Sequence, residues 1–494
     1  MKKAVVAVTA IIVLAGLAVA AVPVVERRAA DNIKAQIEAD GTSSVGSVSV
    51  GLFDRSVTFD NFHVKGEGET AVRQWVLSGL AWPLGELLRG NTPFAGWQPG
   101  QPMHADHLEL KDVRHVEPAG STLSIVSLSV DGLDLARYDS AVAPTPRRSS
   151  VLGARIIRAI SLRHMEMQGF GFTENSLGGF SLESLAVSDL GHGKFGALTL
   201  SGFQLNTASA SAPVFRIDQT KITGLDLDRV LAALSAEAWR PGMPVGRIDI
   251  EDARVSGFSG EAMARYGISL DSITVTVKHD APGVSHTQAR IDGFVLAPPL
   301  SGAEGLQMRM TLAAMGLKDL RLGFDCSGSE DRNKGVLGID RCALTGQDLG
   351  EIDLSANFQD ADAAFWKAVD SGNVFGIYRS NVALGSARLV LADKSLLNRL
   401  FRAIATASGQ TVEAARAAVA QQVRQYQPTG VLITDDMTSL LDTAARFVEK
   451  GGTLTVDLKP DPPFGMDRLP ALGSAGGADL VSLLGVTATL APPH

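Results

Sequence analysis

The chain has 494 residues, 53 of them acidic against 45 Lys and Arg, for a formal net charge of −8. That balance, with no dense basic run, excludes an electrostatic nucleic-acid binder. Hydrophobic residues make up 45% and aromatics 6%, enough for a packed core and too much for a disordered chain, while 51 glycines suit many strands and turns. The length allows two or more domains, or one elongated repeat body.

Met1-Lys2-Lys3 precedes an uncharged run from Ala4 to Val25. Crossing a hydrocarbon core takes about 20 apolar residues, so the run is long enough to span. Ala18-Val19-Ala20 offers the A-x-A site of a cleaved signal peptide as the competing reading. Retention is favoured because the apolar run continues through Pro23-Val24-Val25 into ERRAADNIKAQIEADG, a helix-forming stretch. There Ile33 and Ile37 lie one turn apart and Gly41 can end the helix. The expectation is a membrane anchor over 1–25 and a helical neck over 26–40. Arg27 and Arg28 nearly match Lys2 and Lys3, so charge asymmetry does not orient the span. With no second span of that length, the bulk of the chain is expected on the far side of one membrane.

From Gly46 the chain reads as strands and turns. The clearest unit is SVTFDNFHVKG, residues 56–66, with Val57, Phe59, Phe62 and Val64 apolar and Gly66 at the end. Alternation puts Val57 and Phe59 on one face of a strand. An extra residue then separates Phe59 from Phe62, and a β-bulge at Asp60–Asn61 would return all four to that face. The same template fits Leu123, Ile125, Leu128, Val130 and Gly132, then Ile160, Leu162, Met165, Met167 and Gly169. It fits again at Ile248, Ile250, Ala253, Val255 and Gly257, and at Leu337, Ile339, Cys342, Leu344 and Gly346. Weaker copies begin at Phe180, Leu198 and Phe215. The expected fold is therefore mainly β, with repeated bulged antiparallel strands over 41–385 forming a long curved sheet or groove. Its candidate apolar face carries Val57, Phe59, Phe62, Val64, Ile125, Leu128, Val130, Ile160, Leu162, Ile248, Ile250 and Val255.

Three segments interrupt the strands. VRQWVLSGLAWPLGELLRGNTPF suggests a short helix with Pro83 as its first residue and Gly90 as its end. Asp139–Ser150 reads as a Pro- and Ser-rich flexible loop, and Leu227–Trp239 as a helix-like insert. After Gly385 the pattern changes to an α+β module over 386–494. SARLVLA is a strand, and DKSLLNRLFRAIATASG a helix capped by Asp393 with an apolar stripe of Leu396, Leu397, Leu400, Phe401 and Ile404. Helices over Val412–Tyr426, capped by Thr411, and Met437–Glu449 follow, then a strand over 452–460. The helical stripes are read as core.

Few residues suggest chemistry. Cys326 and Cys342 face each other if their hairpin is centred on Lys334, whereas a turn centred one residue earlier would make them diagonal neighbours. A structural disulfide in an oxidising compartment is expected. Gly191-His192-Gly193-Lys194-Phe195-Gly196 matches G-x-G-x-x-G, but the strand-like ALTLSGFQL follows where dinucleotide binding needs a helix. His104 and His107, beside Asp106, would lie on opposite faces of a regular strand and lack the further ligands a metal needs. Asp435-Asp436 suits a helix start. No catalytic, cofactor or metal site is expected, and the chain does not read as an enzyme.

The N-terminal span, the helical neck and the strand pair SVSVGLFDRSVTFDNFHVKG resemble the AsmA-like envelope proteins. SARLVLADKSLLNRLFRAIATASGQTVEAARAAVAQQV is similar to the C-terminal part of the YdgA-like family of unknown function. The AsmA-like resemblance implies a β-groove with an apolar floor that holds or moves phospholipids. A chain this short for bridging an envelope leaves a local or partnered role open. The expectation is a single-pass protein of the bacterial inner membrane, its bulk in the periplasm, with membrane lipids and envelope proteins as partners. The competing expectation is a structural or interaction protein of the envelope with a closed, self-packed β core.

Overall fold

A computed structural model describes residues 22–39, 41–66, 68–80, 83–91, 97–143, 148–174, 178–208, 212–236, 239, 248–299, 302–427, 433–468 and 480–493. Most of the expected anchor, the A-x-A site and Arg147 lie outside the described residues. No helix among the described residues is long and apolar enough to cross a membrane. The fold is mainly β, with an N-terminal helix and further helices and strands at the C-terminus. The chain divides into two compact units, Met1–Val214 with Gln219–Pro241, and Phe215–Asp218 with Gly242–His494.

In the first unit residues 22–38 form helix α1. Strands β1 (Ser43–Gly51), β2 (Ser56–Lys65), β3 (Glu69–Ser78), β4 (Met103–Val116) and β5 (Thr122–Leu135) follow, with α2 (Leu84–Leu88) between β3 and β4. Next come α3 (Arg148–Ala159), β6 (Ile160–Glu174), β7 (Gly178–Gly191) and β8 (Lys194–Asn206). Each strand pairs antiparallel with the next. Strand β9 (Phe215–Asp226), which belongs to this unit from Gln219 onward, and α4 (Asp228–Ser235) complete the order.

Register explains how the template works. One row of directly opposed residues runs Val45, Phe62, Val72, Val113, Ile125, and the next runs Val48, Phe59, Trp75, Leu110, Leu128. Within each strand the two row members are three apart, not two, yet they share a face. Phe59 and Phe62 have ring centroids 6.2 Å apart, and Trp75 lies 5.3 Å and 5.6 Å from them. The device differs from the expected bulge. Neighbouring strands carry their extra residue at the same level, so the register does not slip between β1 and β8. Alternate strands place a left-handed residue there: Asn61 (φ 55°) on β2, Asp112 (φ 50°) on β4, Gly169 (φ 64°) on β6 and Gly202 (φ 64°) on β8. Gly, Asn and Asp tolerate that conformation best, and it redirects the side chains that follow. A Cβ on Gly169 would lie 2.4 Å from Val126 of the neighbouring strand, so that position has no room for one. A second such line passes through Gly132 (φ 63°) on β5 and Asp189 (φ 52°) on β7. The glycine that was expected to close each repeat is thus internal at Gly132 and Gly169, where β5 and β6 continue.

Helix α1 buries Ala29, Ala30 and Ile33 against Val57, Phe59 and Leu77. It also satisfies the outer edge of β1. Glu38 Oε1 accepts from Val45 N at 3.3 Å, Glu26 Oε1 accepts from Leu52 N at 3.1 Å, and Lys34 Nζ donates to the Gly46 carbonyl at 2.9 Å. An edge strand left with free donors and acceptors would invite pairing with another chain. The neck is therefore an integral cover for the sheet.

The second unit runs β10 (Asp252–Ser259), α5 (Glu261–Tyr266), β11 (Ile268–Ala281), β12 (Val284–Leu296), α6 (Ala303–Ala314), β13 (Leu320–Asp331), β14 (Val336–Gly346) and β15 (Gly350–Gln359). Helices α7 (Ala363–Ser371) and α8 (Val374–Tyr378) then precede β16 (Ala383–Asp393). Helices α9 (Leu396–Ser408), α10 (Val412–Arg424) and α11 (Asp435–Lys450) separate β16 from its partner β17 (Gly452–Leu458). The short β18 (Phe464–Gly465) pairs with β16, while β19 (Val486–Ala491), after α12 (Leu480–Leu483), pairs with β17. Here the ladders do slip, between Ile291 and Phe294, Ser327 and Gly328, and Ile339 and Cys342, as single-strand bulges require.

Local signals fared unevenly. Thr411 caps α10 by accepting from Ala414 N at 3.1 Å, as its sequence position predicts. The N-cap of α9 is Ser395 and not Asp393, which ends β16, yet Asp393 Oδ1 still accepts from Leu397 N at 2.9 Å. Helix α11 starts at Asp435, two residues before Met437, because Thr434 caps it. Pro83 is the N-cap of α2 and not its first helical residue. The expected loop over Asp139–Ser150 ends in helix α3, which begins at Arg148. Ile248 and Ile250 precede β10, and Ile248 is exposed. Only Asp249 there makes a strand-type bridge, so that copy's alternation begins before the strand does.

Candidate apolar site

The twelve candidate face residues divide between the units. In the first, Val57 and Phe59 are fully buried beneath α1, with Phe62 packed beside them. Val130 and Leu162 are buried with Val187 and Leu190, and Leu128 and Ile160 pack half-buried against that cluster. Val64 and Ile125 are half-buried. Further along β6 to β8 the same face carries Phe170, Phe172 and Phe203 around Phe180, which is 39% exposed. The face is closed under α1 and open at the phenylalanine cluster.

In the second unit Val255 begins a row through Ile273, Ile291, Phe324, Leu344, Ile352 and Leu391. The adjacent row contains Ala289, Cys326, Cys342, Leu354 and Leu389. Cys326 stands directly opposite Cys342, and the two form a disulfide. The turn itself pairs Asp331 with Val336, half a residue off the centre that facing cysteines require. The bulge between Ser327 and Gly328 supplies the missing step, leaving Asp340 unpaired and bringing the thiols face to face. The staple lies within the apolar face.

Helix α9 stands beside this face. Leu397, Phe401 and Ala405 point into a core with Val412 and Ala415 of α10. Leu396, Leu400 and Ile404, one position earlier in each turn, are 38–40% exposed. The stripe expected to be core is therefore two stripes, and only one is covered. Leu344, Ile352 and Leu354 on the sheet are also 38–43% exposed. Between helix and sheet lies a cleft of about 290 Å³, lined by Leu322, Leu344, Ile352, Leu391, Leu396 and Phe447 among others. The acids at its margin are engaged: Asp393 accepts from Leu397 N in the first turn of α9, and Glu351 is held by Arg341. Such a site offers apolar contact and no converging groups for catalysis.

A polar cleft of about 750 Å³ in the first unit is lined by Arg137, Arg155, Arg158, His192, Lys194, Asp139 and Asp228 among others. Its cations are largely matched, with Arg155 to Asp139 at 3.2 Å, Arg158 to Asp228 at 2.9 Å and Lys194 to Asp226 at 2.9 Å. Burial raises the Asp226 carboxyl, but hydrogen bonds from Lys194 and the Asp228 amide outweigh it and hold that group below its ordinary value. The G-x-G-x-x-G stretch is the hairpin between β7 and β8. Gly191 pairs with Lys194, and His192 (φ 52°) and Gly193 (φ 77°) are left-handed, as a two-residue type I′ turn demands.

His104 and His107 correct the regular-strand expectation. Ala105 and Leu108 sit in the apolar rows on either side of a kink, so both histidines fall on the polar face. Each has its own carboxylate: His104 lies 3.2 Å from Asp134, and His107 2.7 Å from Asp131. Among the described residues no group of three or more ligating side chains could hold a metal.

In comparison with known families, a family model described as an uncharacterized protein matches residues 343–490. It begins within β14 and takes in the exposed α9 stripe. No curated protein matches the chain.

Proposed function

We propose that this is a lipid-handling protein of the bacterial envelope, anchored in the inner membrane by residues 1–25 with its bulk in the periplasm. The apolar trough between α9 and the β13–β16 face holds phospholipid acyl chains. The observation that carries this reading is the meeting of exposed apolar side chains in one cleft, Leu396 of α9 with Leu344 and Ile352 of the sheet. Contiguous exposed hydrophobes of this kind mark interaction sites in soluble folds. A hydrocarbon chain covers them without needing polar partners, and none converge there. The Cys326–Cys342 disulfide supports an oxidising compartment, and the resemblance to AsmA-like proteins supports the same cargo.

The test is photo-crosslinking from a benzoyl-phenylalanine placed at Ile352, with adducts identified by mass spectrometry. Phospholipid adducts are expected, and they should fall sharply in a Leu344→Asp, Leu396→Asp variant. Because both side chains are already partly in water, the unfolding midpoint should move little, by about 0.5 kcal/mol per site. Protein adducts in place of lipid would favour a docking role for the module.

A further inference from the structure

Helices α7 and α8 form a rigid cap at one end of the β13–β14 hairpin. Asp362 caps α7 by accepting from Phe365 N at 2.8 Å, and Asn373 caps α8 by accepting from Gly376 N at 3.0 Å. Phe365 and Trp366 are buried with Ala361 and Val382, and Ile377 of α8 packs against them. Arg332 from the hairpin turn lies 4.7 Å over the Trp366 ring and pairs with Asp370 at 3.0 Å. The contact between the helices is close, since a Cβ on Gly376 would sit 2.8 Å from the Ala368 Cβ. This cap is held in place by packing, a cation over a ring and an ion pair.

What it presents outward is unusual. Val374, Phe375 and Tyr378 share the outer side of α8 and are 58%, 79% and 44% exposed. Lys367 on α7, the helix packed against α8, and Arg379 at the C-terminal end of α8 are exposed, and neither has an ion-pair partner among the described residues. Phe375 in particular stands outside the packed core of the cap.

We infer that α8 is a membrane-contacting tip, in which Val374, Phe375 and Tyr378 enter the interface of an anionic bilayer while Lys367 and Arg379 meet its phosphates. Area and charge select the bilayer over a protein. A stable protein interface needs about 800 Å² on each side, more than three side chains on a five-residue helix supply. A bilayer accepts a small protruding apolar tip, with Tyr at headgroup depth. Two unpaired cations complement anionic lipid on a chain whose net charge is −8. The contact does not depend on the trough: it stands or falls separately, since it concerns the surface of α8 and not that of α9.

Both native cysteines are bonded to each other, so a single added thiol can be labelled in the full-length chain. Tyr378→Cys or Val374→Cys carrying an environment-sensitive nitrobenzoxadiazole is mixed with phosphatidylcholine vesicles, with or without phosphatidylglycerol. The expected result is a blue shift and quenching by spin-labelled lipid with the anionic vesicles, absent for the same label at Glu413 on α10. Lys367→Gln and Arg379→Gln should each weaken the effect roughly fivefold, and Phe375→Asp about tenfold or more. The thermal midpoint should be unchanged in all three. A label that stays at its aqueous wavelength with both vesicle types would overturn the inference. So would a blue shift that needs no lipid and grows with protein concentration, which would assign the tip to a second copy.

Discussion

Phe59→Ala is expected to destabilise the first unit by about 3–5 kcal/mol, the range for truncating a fully buried aromatic. Phe59 is 1% exposed and lies where the two layers of that unit meet. On the sheet it touches Phe62 and Trp75; above it are Ala29 and Ile33 of α1. Neither side can collapse easily into the gap. The strand rows are fixed by the hydrogen-bonded register, and α1 is fixed by Glu26, Lys34 and Glu38 on the β1 backbone. A cavity would therefore persist, adding its own cost to the lost transfer energy. Denaturant unfolding followed through Trp75, which borders the cavity, is the local measurement. Phe180→Ala is the comparison, since Phe180 sits on the same apolar face with much of its ring already in water, and its loss should be a fraction as large. Equal losses at the two positions would mean that α1 does not seal the face.

The second large effect is expected at the disulfide. Cys326→Ser with Cys342→Ser should cost the second unit about 3 kcal/mol, from the freedom regained by a loop of about 15 residues. The bridge closes a separation of 16 residues, so the estimate applies closely. The location adds a further consequence. Two serine hydroxyls would replace sulfur in a row otherwise made of Ala289, Leu354 and Leu389, placing polar atoms on an apolar floor. A reductant should lower the thermal midpoint of the native chain and leave the double variant unchanged. A native chain indifferent to reductant would show that the bulged register alone holds the hairpin.

Much of this architecture can be read from residue order. The three-residue step in Val57-x-Phe59-x-x-Phe62-x-Val64 states that the strand must turn once to keep its apolar side chains together. The sequence also names how it turns, through Asn61, Asp112, Gly169 and Gly202, residue types that accept positive φ. What one strand cannot reveal is whether its neighbour kinks at the same level. That depends on pairing, and it decides between an unslipped ladder and a one-sided bulge. The same blind spot misplaced His104 and His107, whose three-residue spacing crosses a kink. Short helices were the other gap. VFGIY of α8 has no periodicity to read in five residues, and Gly372 and Asn373, which end α7 and cap α8, are ordinary turn residues.

The site was half legible. Leu396, Leu400 and Ile404 and Leu397, Phe401 and Ala405 are offset by one residue, so both read as a single wide stripe. Only the position of α10 shows which set is covered. Likewise, alternation marks Leu344, Ile352 and Leu354 as one face of a sheet but carries no information about a second layer. Propensity and period describe a surface, and burial is a property of what is packed upon it.

The direct measurement is the lipid content of the full-length protein as isolated from cell membranes and washed free of loosely bound lipid. Organic extraction and mass spectrometry of the native chain should recover glycerophospholipid in near-stoichiometric amount, reduced in the Leu344→Asp, Leu396→Asp variant. Recovery of no phospholipid from the native chain, or the same amount from both chains, would contradict a lipid-holding trough.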